Sequence, residues 1–427
     1  MKPNKNIIII ADTFVPDNTS GAVQLYDLSK EFINFGVGVT VLTLNSSGMG
    51  GLDRLSFNGI DLIRVGCLKS RNVNLIRRAI SEILTPVLLI FTIFRIKRTL
   101  THVNGIVWYS PSIFFGPVIW YLKKILNCRS YLILRDIFPD WAVQLGLMKK
   151  NFFYFVLKVF EWHQYSVANT IGIQSFGDMK YFELKLPLLN ARWSHLKNIS
   201  LLNVIFNYYL KIKQRRKNKI EVLYNWLGQM KREPCHINIK DSLLSGRKIF
   251  VYAGNMGPAQ GLDLLLEAIL LLNSNSQIGF VFVGRGLYLE KIRGFIVKNK
   301  LANTLIFDEI PSSQVYSLYC QCDVGIVSLN SLHSGSNIPG KFYSYLQAGL
   351  PIFAILNHGN ELEEVINKEK LGIATTSEDV SEIVKLIMLI SSGLICSKNH
   401  KAKCIEYSRL NHHPRFAVIK IYHSLFC

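Results

Sequence analysis

The chain has 427 residues, 49% of them hydrophobic, and carries 49 Lys and Arg against 29 Asp and Glu, a formal net charge of +20. This length predicts two domains of roughly 200 residues each, and the apolar content excludes an intrinsically disordered protein. The basic balance leaves three classes of partner open: nucleic acid, an anionic membrane surface and a phosphorylated substrate.

The N-terminal half alternates between predicted strands and predicted helices. A strand over 6–11 leads through a polar loop over 12–21 into a helix over 22–35, which ends at Gly36. The pattern continues in strands over 37–44, 60–65, 106–109, 130–134 and 170–174, and in helices over 75–100, from 111 and over 152–168. This alternation predicts a parallel sheet covered by helices.

The N-terminus and the cysteines indicate a cytoplasmic protein. The apolar run over 7–11 is too short for the hydrophobic region of a signal peptide. The eight cysteines contain no CxxC pair, so the sequence predicts neither a zinc site nor a redox motif. We expect the thiols to stay reduced, with Cys320 and Cys322 buried and inert.

Two apolar segments lie beside basic clusters. Segment 83–94 runs for 12 residues without a charge, and segment 112–122 is similar. Both are shorter than the ~20 residues that a membrane-spanning helix needs, so each is interpreted as a core helix or an interfacial helix. The neighbouring basic residues are Arg77, Arg78, Arg95, Lys97, Arg98, Lys123 and Lys124. This pairing favours an anionic membrane surface, and no nucleic-acid partner is predicted.

The C-terminal half repeats the strand–helix alternation after an interruption over 181–219, which includes the basic run KIKQRRKNK. We interpret that interruption as an excursion of an N-terminal domain over 1–222. The predicted strands that follow are 248–253, 278–283, 304–307, 324–328, 351–355 and 372–374. They predict a second doubly wound domain over 223–408, whose ligands bind beyond the carboxyl ends of the strands. Residues 409–427 are predicted to form a helix that packs back toward the N-terminal domain.

Three loops of the C-terminal half follow strands or open helices and suit a phosphate ligand. The first is GNMGPAQG over 254–261, the second is GRG over 284–286, and the third is SGSNIPGK over 334–341. Small residues let the backbone approach a ligand, and free amides at a helix start attract negative charge. Lys341 at a helix start is unfavourable for the helix dipole unless an anion binds there. Neither a dinucleotide fingerprint nor a P-loop is present.

These loops resemble those of GT-B glycosyltransferases of the large retaining family 4. The matching stretches are VYAGNMGPAQGLDLLLEAI, FVFVGRG, IPSSQVYSLYCQCDVGIVSL, NIPGKFYSYLQAGLPIFA and, in the first half, ADTFVPDNTSGA and LRDIFPDWAVQLGL. The resemblance implies an α/β fold of two Rossmann-like domains facing across a cleft. Within the family, the chain looks closest to enzymes of bacterial surface-polysaccharide assembly, including L-fucosamine transferases of O-antigen clusters.

The resemblance also implies a reaction and a set of site residues. The enzyme would move a sugar, expected to be an N-acetylated amino sugar, from a UDP-linked donor to a lipid-linked oligosaccharide at the inner face of the cytoplasmic membrane. Retention of configuration is expected, with neither a metal nor a cofactor. The implied donor-binding residues are Gly254, Asn255, Gly257, Gln260, Gly284, Arg285, Gly286, Phe307, Asn337, Ile338, Pro339, Gly340, Lys341 and Ser344. The implied acceptor-side residues are Asp12, Asp17, Ser20, Gly21, Arg135 and Asp136. Catalytic roles are assigned to Asp136, Arg285 and Lys341.

The chain departs from the family pattern at two pairs of positions. Ser336 and Ser344 stand where many members carry two glutamates, and Asn255 and Gln260 stand where many carry Arg and Lys. Arg285 and Lys341 would therefore have to supply more of the charge that holds the diphosphate. The missing second glutamate puts ribose binding in doubt.

Several alternatives stay open. The same architecture serves sugar-nucleotide 2-epimerases, and the lost acidic pair favours a non-catalytic subunit that only binds a sugar nucleotide. Asp136 is interpreted as an acceptor-orienting residue or as a turn residue at a strand end. His163 and Glu161 are assigned structural roles, because their predicted helix packs one face inward.

Overall fold

The computed structural model of the protein describes residues 5–17, 19–45, 51–67, 75–110, 112–144, 146–182, 218–332, 338–393 and 398–427. The chain divides into two compact units: unit 1 comprises Met1–Tyr224 and Pro414–Cys427, and unit 2 comprises Asn225–His413. The predicted boundaries after 222 and 408 lie close to these. The predicted excursion over 181–219 falls mostly outside the described residues.

The described residues of unit 1 form one sheet in the strand order β3-β4-β2-β1-β5-β6-β7-β8. The strands are β1 (Lys5–Ala11), β2 (Val37–Asn45), β3 (Leu52–Phe57), β4 (Ile60–Gly66), β5 (Gly105–Tyr109), β6 (Arg129–Leu134), β7 (Thr170–Ile173) and β8 (Lys219–Val222). All neighbours pair in parallel except β3 and β4. Strand β3 was not predicted, because all six of its residues are exposed and the sequence there lacks the alternation of apolar residues that indicates a half-buried strand.

Helices cover the sheet of unit 1, so its central strand is buried on both faces. Residues 7–10 of β1 are four isoleucines, each 0% exposed, the continuous apolar run typical of a parallel strand. The helices are α1 (Ser20–Asn34), α2 (Leu75–Ile96), α3 (Gly116–Leu126), α4 (Asp140–Gln144), α5 (Phe152–Val167) and α6 (Phe176–Lys180). A terminal helix over Pro414–Phe426 also belongs to this unit, where Lys420 Nζ donates to the Val222 carbonyl at 2.7 Å.

Unit 2 holds a second sheet, which is parallel throughout its described strands, in the order β11-β10-β9-β12-β13-β14. The strands are β9 (Lys248–Asn255), β10 (Ile278–Arg285), β11 (Thr304–Asp308), β12 (Val324–Ser328), β13 (Ile352–Ile355) and β14 (Gly372–Thr375). The helices are α7 (Asp263–Leu271), α8 (Leu289–Lys298), α9 (Val315–Tyr319), α10 (Gly340–Ala348), α11 (Glu361–Lys368), α12 (Val380–Ser391) and α13 (Lys398–Asn411), and the terminal helix of unit 1 is α14.

The strand order places a switch point in each sheet. In unit 2 the chain builds outward from β9 through β10 to β11, and then returns to build β12 to β14 on the other side of β9. In unit 1 the same reversal occurs at β1, between β2 and β5. Ligands of doubly wound sheets bind beyond the carboxyl ends of strands at such points. The predicted site loops follow β9, β10 and β12 in unit 2, and β1 and β6 in unit 1.

Candidate functional site

The first two predicted donor loops are joined at the carboxyl ends of β9 and β10. Gly254 pairs with Gly284, and Asn255 pairs with Arg285. A Cβ atom on Gly284 would lie 1.9 Å from the Gly254 carbonyl oxygen, and Gly284 has a φ of +156°. A Cβ atom on Gly286 would lie 2.3 Å from the carbonyl oxygen of Met256, whose N–H donates to the Arg285 carbonyl at 2.7 Å. Glycine at 284 and 286 therefore allows the two loops to meet.

Gln260 organises the loop after β9. Its Oε1 atom accepts from the Gly257 N–H at 3.0 Å and from Asn255 Nδ2 at 3.1 Å. The loop after β12 is attached to the same segment, since Asn330 Nδ2 donates to the Pro258 carbonyl at 2.9 Å. Asn255 and Gln260, at the two positions where the resemblance to family 4 implies cations, are therefore a pair of amides that bind each other and shape the loop.

Lys341 lies at the start of α10, beside β9. Its Nζ atom is 3.4 Å from the centroid of the Tyr252 ring, well within the range of a cation–π contact. Burial lowers the pKa of the Lys341 ammonium group well below its ordinary value. No ion pair joins Lys341 to a carboxylate among the residues that the structure describes. A bound anion would favour the charged form of this half-buried amino group, and the N-terminus of α10 attracts negative charge to the same place.

Arg285 lies beside an acidic residue that sequence analysis did not single out. Its Nη1 atom is 2.9 Å from Glu309 Oε2, and the two side chains are 61% and 48% exposed. A surface ion pair of this kind contributes about 0–1 kcal/mol. A phosphate group would therefore compete with Glu309 for the guanidinium at little cost. Glu309 follows the end of β11, so its distance from Arg285 depends on strand order.

The remaining predicted donor residues take different positions in unit 2. Ile338 is buried and Pro339 precedes the first turn of α10. Among the described residues, apart from its chain neighbours and its own helix backbone, none has an atom within 4 Å of a Cβ built on Gly340. The Ser344 hydroxyl donates to the Lys341 carbonyl at 2.9 Å and also forms a hydrogen bond with the side chain of Tyr319. Phe307 is half-buried on β11 and pairs with Val283 of β10. Asn337 and Ser336 lie outside the described residues.

A polar cluster forms in unit 1 where β1, β5 and β6 end. Gln24 Oε1 accepts from the Tyr109 hydroxyl at 3.0 Å and also from Arg135 Nη1. The Arg135 guanidinium lies 5.9 Å from the centroid of the Tyr109 ring, and a Cβ atom on Gly21 would lie 3.1 Å from Tyr109 Cε1. Burial raises the pKa of Tyr109 to about 12, so its hydroxyl stays protonated and donates.

Carboxylates surround this cluster. The charges of Asp136 and Asp12 add to the rise in the pKa of Tyr109, so both carboxylates act on the Tyr109 hydroxyl. Asp178 on α6 was not predicted; burial raises its pKa to about 6, and the charge of Asp136 contributes. Asp17 accepts from the Thr13 hydroxyl at 2.9 Å, and Ser20 is exposed at the start of α1.

A buried ionic network lies in unit 1, between α4 and α5. Lys158 Nζ is 3.0 Å from Asp140 Oδ2 and also contacts Glu161 Oε2. The hydroxyl of Tyr181 donates to Asp140 Oδ2 at 2.5 Å, and that of Tyr154 donates to Asp140 Oδ1 at 2.7 Å. Asp140 belongs to the segment that begins at Arg135. The network therefore attaches the segment that follows β6 to the core of unit 1.

One prediction about the cysteines was wrong. Cys320 is exposed and Cys322 is half-buried. The helix α9 ends at Tyr319, so Cys320 falls in the turn that follows and not on an inward helix face. Burial raises the pKa of the Cys322 thiol well above its ordinary value, which keeps that thiol protonated.

Comparison with known proteins identifies the second unit. Residues 237–411 match the family model described as glycosyl transferases group 1. Unit 2 carries a group 1 glycosyl transferase domain. This glycosyl transferase domain contains all three loops that were predicted to bind the donor. A curated relative, "Probable glycosyltransferase WbjE" of Pseudomonas aeruginosa, is 23% identical over 272 residues, which are 62% of this chain and 60% of the relative. That match spans less than two thirds of the relative's length.

Solved structures extend the similarity of fold to nearly the whole chain. Sucrose-phosphate synthase from Thermosynechococcus elongatus is 13% identical with a TM-score of 0.69, and the match covers 98% of each chain. The Anabaena protein HepE in complex with UDP is 12% identical, with a TM-score of 0.60 and coverage of 98% of this chain and 99% of that one. WaaG, a glycosyltransferase involved in lipopolysaccharide biosynthesis, is 11% identical, with a TM-score of 0.57 and coverage of 97% and 99%. The predicted fold class, α/β with two Rossmann-like units, is confirmed.

Proposed function

We propose that the chain is a glycosyltransferase that moves a sugar from a UDP-linked donor to a lipid-linked oligosaccharide during assembly of a bacterial surface polysaccharide. The observation that carries the proposal is the position of Lys341. Lys341 is half-buried at the start of α10, with its Nζ atom 3.4 Å from the centroid of the Tyr252 ring, within a group 1 glycosyl transferase domain. A diphosphate supplies the negative charge that this position lacks.

The proposed reaction breaks the bond between the anomeric carbon and the donor phosphate. Negative charge then develops on the nucleoside diphosphate, and preorganised cations and amides stabilise such charge most effectively. Lys341 and Arg285 provide the cations, and the backbone N–H group of Gly340 provides a donor. The acceptor hydroxyl attacks on the face that the diphosphate leaves and passes its proton to the departing phosphate. Configuration is retained, and the protein contributes no nucleophile.

We assign the acceptor to the polar cluster of unit 1. Arg135 supplies a cation there, while Asp136 and Asp12 supply acceptors for a sugar hydroxyl. Support for a lipid-linked acceptor comes from the basic and apolar segments of the same unit, because such acceptors carry a pyrophosphate at the level of the lipid headgroups. This assignment places the enzyme at the inner face of the cytoplasmic membrane, attached peripherally. The sugar is proposed to be an N-acetylated amino sugar, by family resemblance alone.

Nucleotide binding is the first test of the proposal. A ligand that binds the folded chain raises its stability by mass action, so a panel of UDP-, GDP- and dTDP-sugars is compared by thermal shift. We expect UDP-sugars to raise the Tm of the wild type, and Lys341→Ala to abolish the shift. If no nucleotide sugar changes the Tm, the donor assignment is wrong.

Product analysis is the second test. The nucleotide sugar that gives a shift is incubated with a lipid-linked acceptor, and the first-formed product is examined by NMR. We expect a new glycosidic bond with the anomeric configuration of the donor, and an inverted product would contradict the mechanism. Conversion of the nucleotide sugar without any acceptor would identify a 2-epimerase.

Ser344 favours a second candidate function, namely binding of a sugar nucleotide without transfer. Its hydroxyl is bonded to the Lys341 carbonyl at 2.9 Å, where many related enzymes carry a glutamate. Under this alternative the chain acts as a binding subunit of an assembly complex. A thermal shift with UDP-sugars, combined with no transfer to any acceptor tested, would support it.

A further inference from the structure

Helix α2 exposes a row of apolar side chains, whereas an ordinary surface helix exposes polar ones. Its outer face presents Leu84, Val87, Phe91 and Phe94, which are 43%, 63%, 60% and 56% exposed. Spacings of three and four residues align these side chains along one stripe. A surface helix in water normally turns such a stripe toward the core. The stripe extends for about 15 Å along the helix.

The inner face of α2 holds polar residues that are satisfied locally. The buried Thr85 hydroxyl donates to the Ser81 carbonyl at 2.8 Å, and the buried Thr92 hydroxyl donates to the Leu88 carbonyl at 2.9 Å. Ile93 is 0% exposed on the same inner side. Helix α2 therefore does contain polar side chains, but they lie on its inner face while the apolar stripe faces solvent.

Cations border the apolar stripe. Arg95 and Lys97 lie over the rings of Phe91 and Phe94, at 5.7 and 4.7 Å from the ring centroids. The neighbouring helix α3 repeats the arrangement, with Lys124 Nζ 3.8 Å from the centroid of the 48% exposed Trp120. No acidic residue occurs between 84 and 100. The surface is thus apolar in its middle and positive at its border.

No helix among the described residues is long and apolar enough to cross a membrane. A helix with an exposed apolar stripe and cations beside it has the composition of an interfacial helix that lies in the plane of a bilayer. Aromatic rings with a polar border suit the headgroup level. A second copy of the chain would meet the same positive charges, which disfavours self-association through this face.

We propose that the outer face of α2, together with Trp120 of α3, inserts into the headgroup layer of an anionic membrane. This proposal rests on the proposed function only for its biological purpose, which is to bring unit 1 to a lipid-linked acceptor. Membrane binding itself requires only the exposed stripe and its cations.

Co-sedimentation with vesicles tests the surface directly. Wild-type protein is mixed with vesicles of phosphatidylcholine alone, or of phosphatidylcholine and phosphatidylglycerol at about 70:30, without donor or acceptor. We expect retention on the anionic vesicles and weaker retention as salt rises. The double variant Phe91→Ser/Phe94→Ser is expected to lose about 100-fold in partitioning, roughly tenfold for each half-exposed ring. Val297→Ser, which changes a 77% exposed apolar residue of unit 2, is the matched control and should bind like the wild type.

Charge reversal supplies an independent variant. Lys97→Glu/Arg98→Glu changes exposed residues only, and losing one cation near an anionic surface weakens binding about fivefold. Equal binding of the wild type and both double variants, with circular dichroism showing that all are folded, would overturn the proposal. Association of the protein with itself that the phenylalanine substitutions abolish, without vesicle binding, would assign the face to a second copy.

The proposed function is tested separately with a short-chain, water-soluble acceptor. The surface variants should transfer sugar to it at the wild-type rate, because the donor loops lie in unit 2. Vesicle binding without any transfer would leave the surface in place and refute the transferase. Transfer without vesicle binding would support the transferase and refute the membrane-binding surface.

Discussion

Replacing Lys158 by methionine is expected to destabilise unit 1 strongly, because the Lys158 ammonium group lies between two buried carboxylates. The Nζ atom is 3.0 Å from Asp140 Oδ2 and also contacts Glu161 Oε2, and the Lys158, Asp140 and Glu161 side chains are 1%, 13% and 0% exposed. Methionine keeps most of the length and the apolar body of the lysine stem, so the change removes charge with little loss of packing.

The magnitude follows from what remains after the ammonium group is gone. Breaking a buried ion pair by removing one partner costs about 3–5 kcal/mol, since the other charge stays desolvated. Asp140 keeps the hydroxyl donors of Tyr154 and Tyr181. Burial raises the pKa of Glu161, so that group can take up a proton. The expected loss is therefore at the lower end, about 3 kcal/mol, which corresponds to a fall in Tm of about 6–12 °C for a unit of this size.

The assay must separate the two units, because a chain of two domains does not unfold in one step by default. Hydrogen exchange in increasing urea gives the unfolding free energy of β5 to β7 separately from that of β9 to β12. Lys291→Met is the matched control. Lys291 lies 2.6 Å from Asp263, but their side chains are 54% and 57% exposed, so a loss below about 1 kcal/mol is expected.

The pH dependence of Lys158→Met provides a check on the cause. The pKa of Glu161 is raised above its ordinary value of 4.5, so the folded chain holds more protons than the unfolded chain above that pH. The stability of the folded chain then falls as the pH rises from 4.5 toward the raised pKa of Glu161. The deficit of Lys158→Met should shrink from pH 7 toward pH 5, and adding Glu161→Gln should recover part of it. A deficit equal to that of Lys291→Met, or one that does not change with pH, would refute the reasoning.

Three further predictions concern the site. Lys341→Ala should lower kcat/KM by ~10²-fold, as expected for one donor that stabilises developing charge, and unchanged kinetics in steady-state assays would remove Lys341 from the site. Gly284→Ala places a Cβ atom 1.9 Å from a backbone oxygen and should abolish the thermal shift with UDP-sugars, whereas Gly294→Ala, with open space around it, should keep it. The pKa of Asp178 is raised to about 6, so wild-type stability falls as pH rises from about 4 to about 6. Asp178→Asn should remove about 2 kcal/mol of that decline in urea titrations, and an unchanged slope would contradict it.

The strands and the loops that follow β9 and β10 were predictable because their signals are local. The apolar runs of β9 and β10 end in glycines at 254 and 284, and a run that ends in glycine indicates both a strand and the turn after it. The position of Lys341 at the start of a helix was predictable from the loop that precedes it, and its role as an anion contact stays a prediction. These inferences need only residues that are close in sequence.

The tertiary contacts that change the charge and pairing of these residues were not predictable from the sequence. Tyr252 lies beside Lys341, and Glu309 pairs with Arg285. The two residues of each pair are far apart in sequence, and only the order of strands in the sheet brings them together. Asp178 is influenced by Asp136 across the same kind of gap. The exposed strand β3 was missed because it lacks a buried face.

The sequence by itself determined the fold class, the positions of most strands and the turns that follow them, because hydrophobic period and turn residues act over short distances. Tertiary structure alone decided which charges are desolvated, which are paired and which apolar face stays in solvent. The reason is that a pKa, an ion pair or an exposed stripe depends on what distant segments place around a side chain. Lys158 between Asp140 and Glu161, and α2 with its stripe outward, are the clearest cases in this chain.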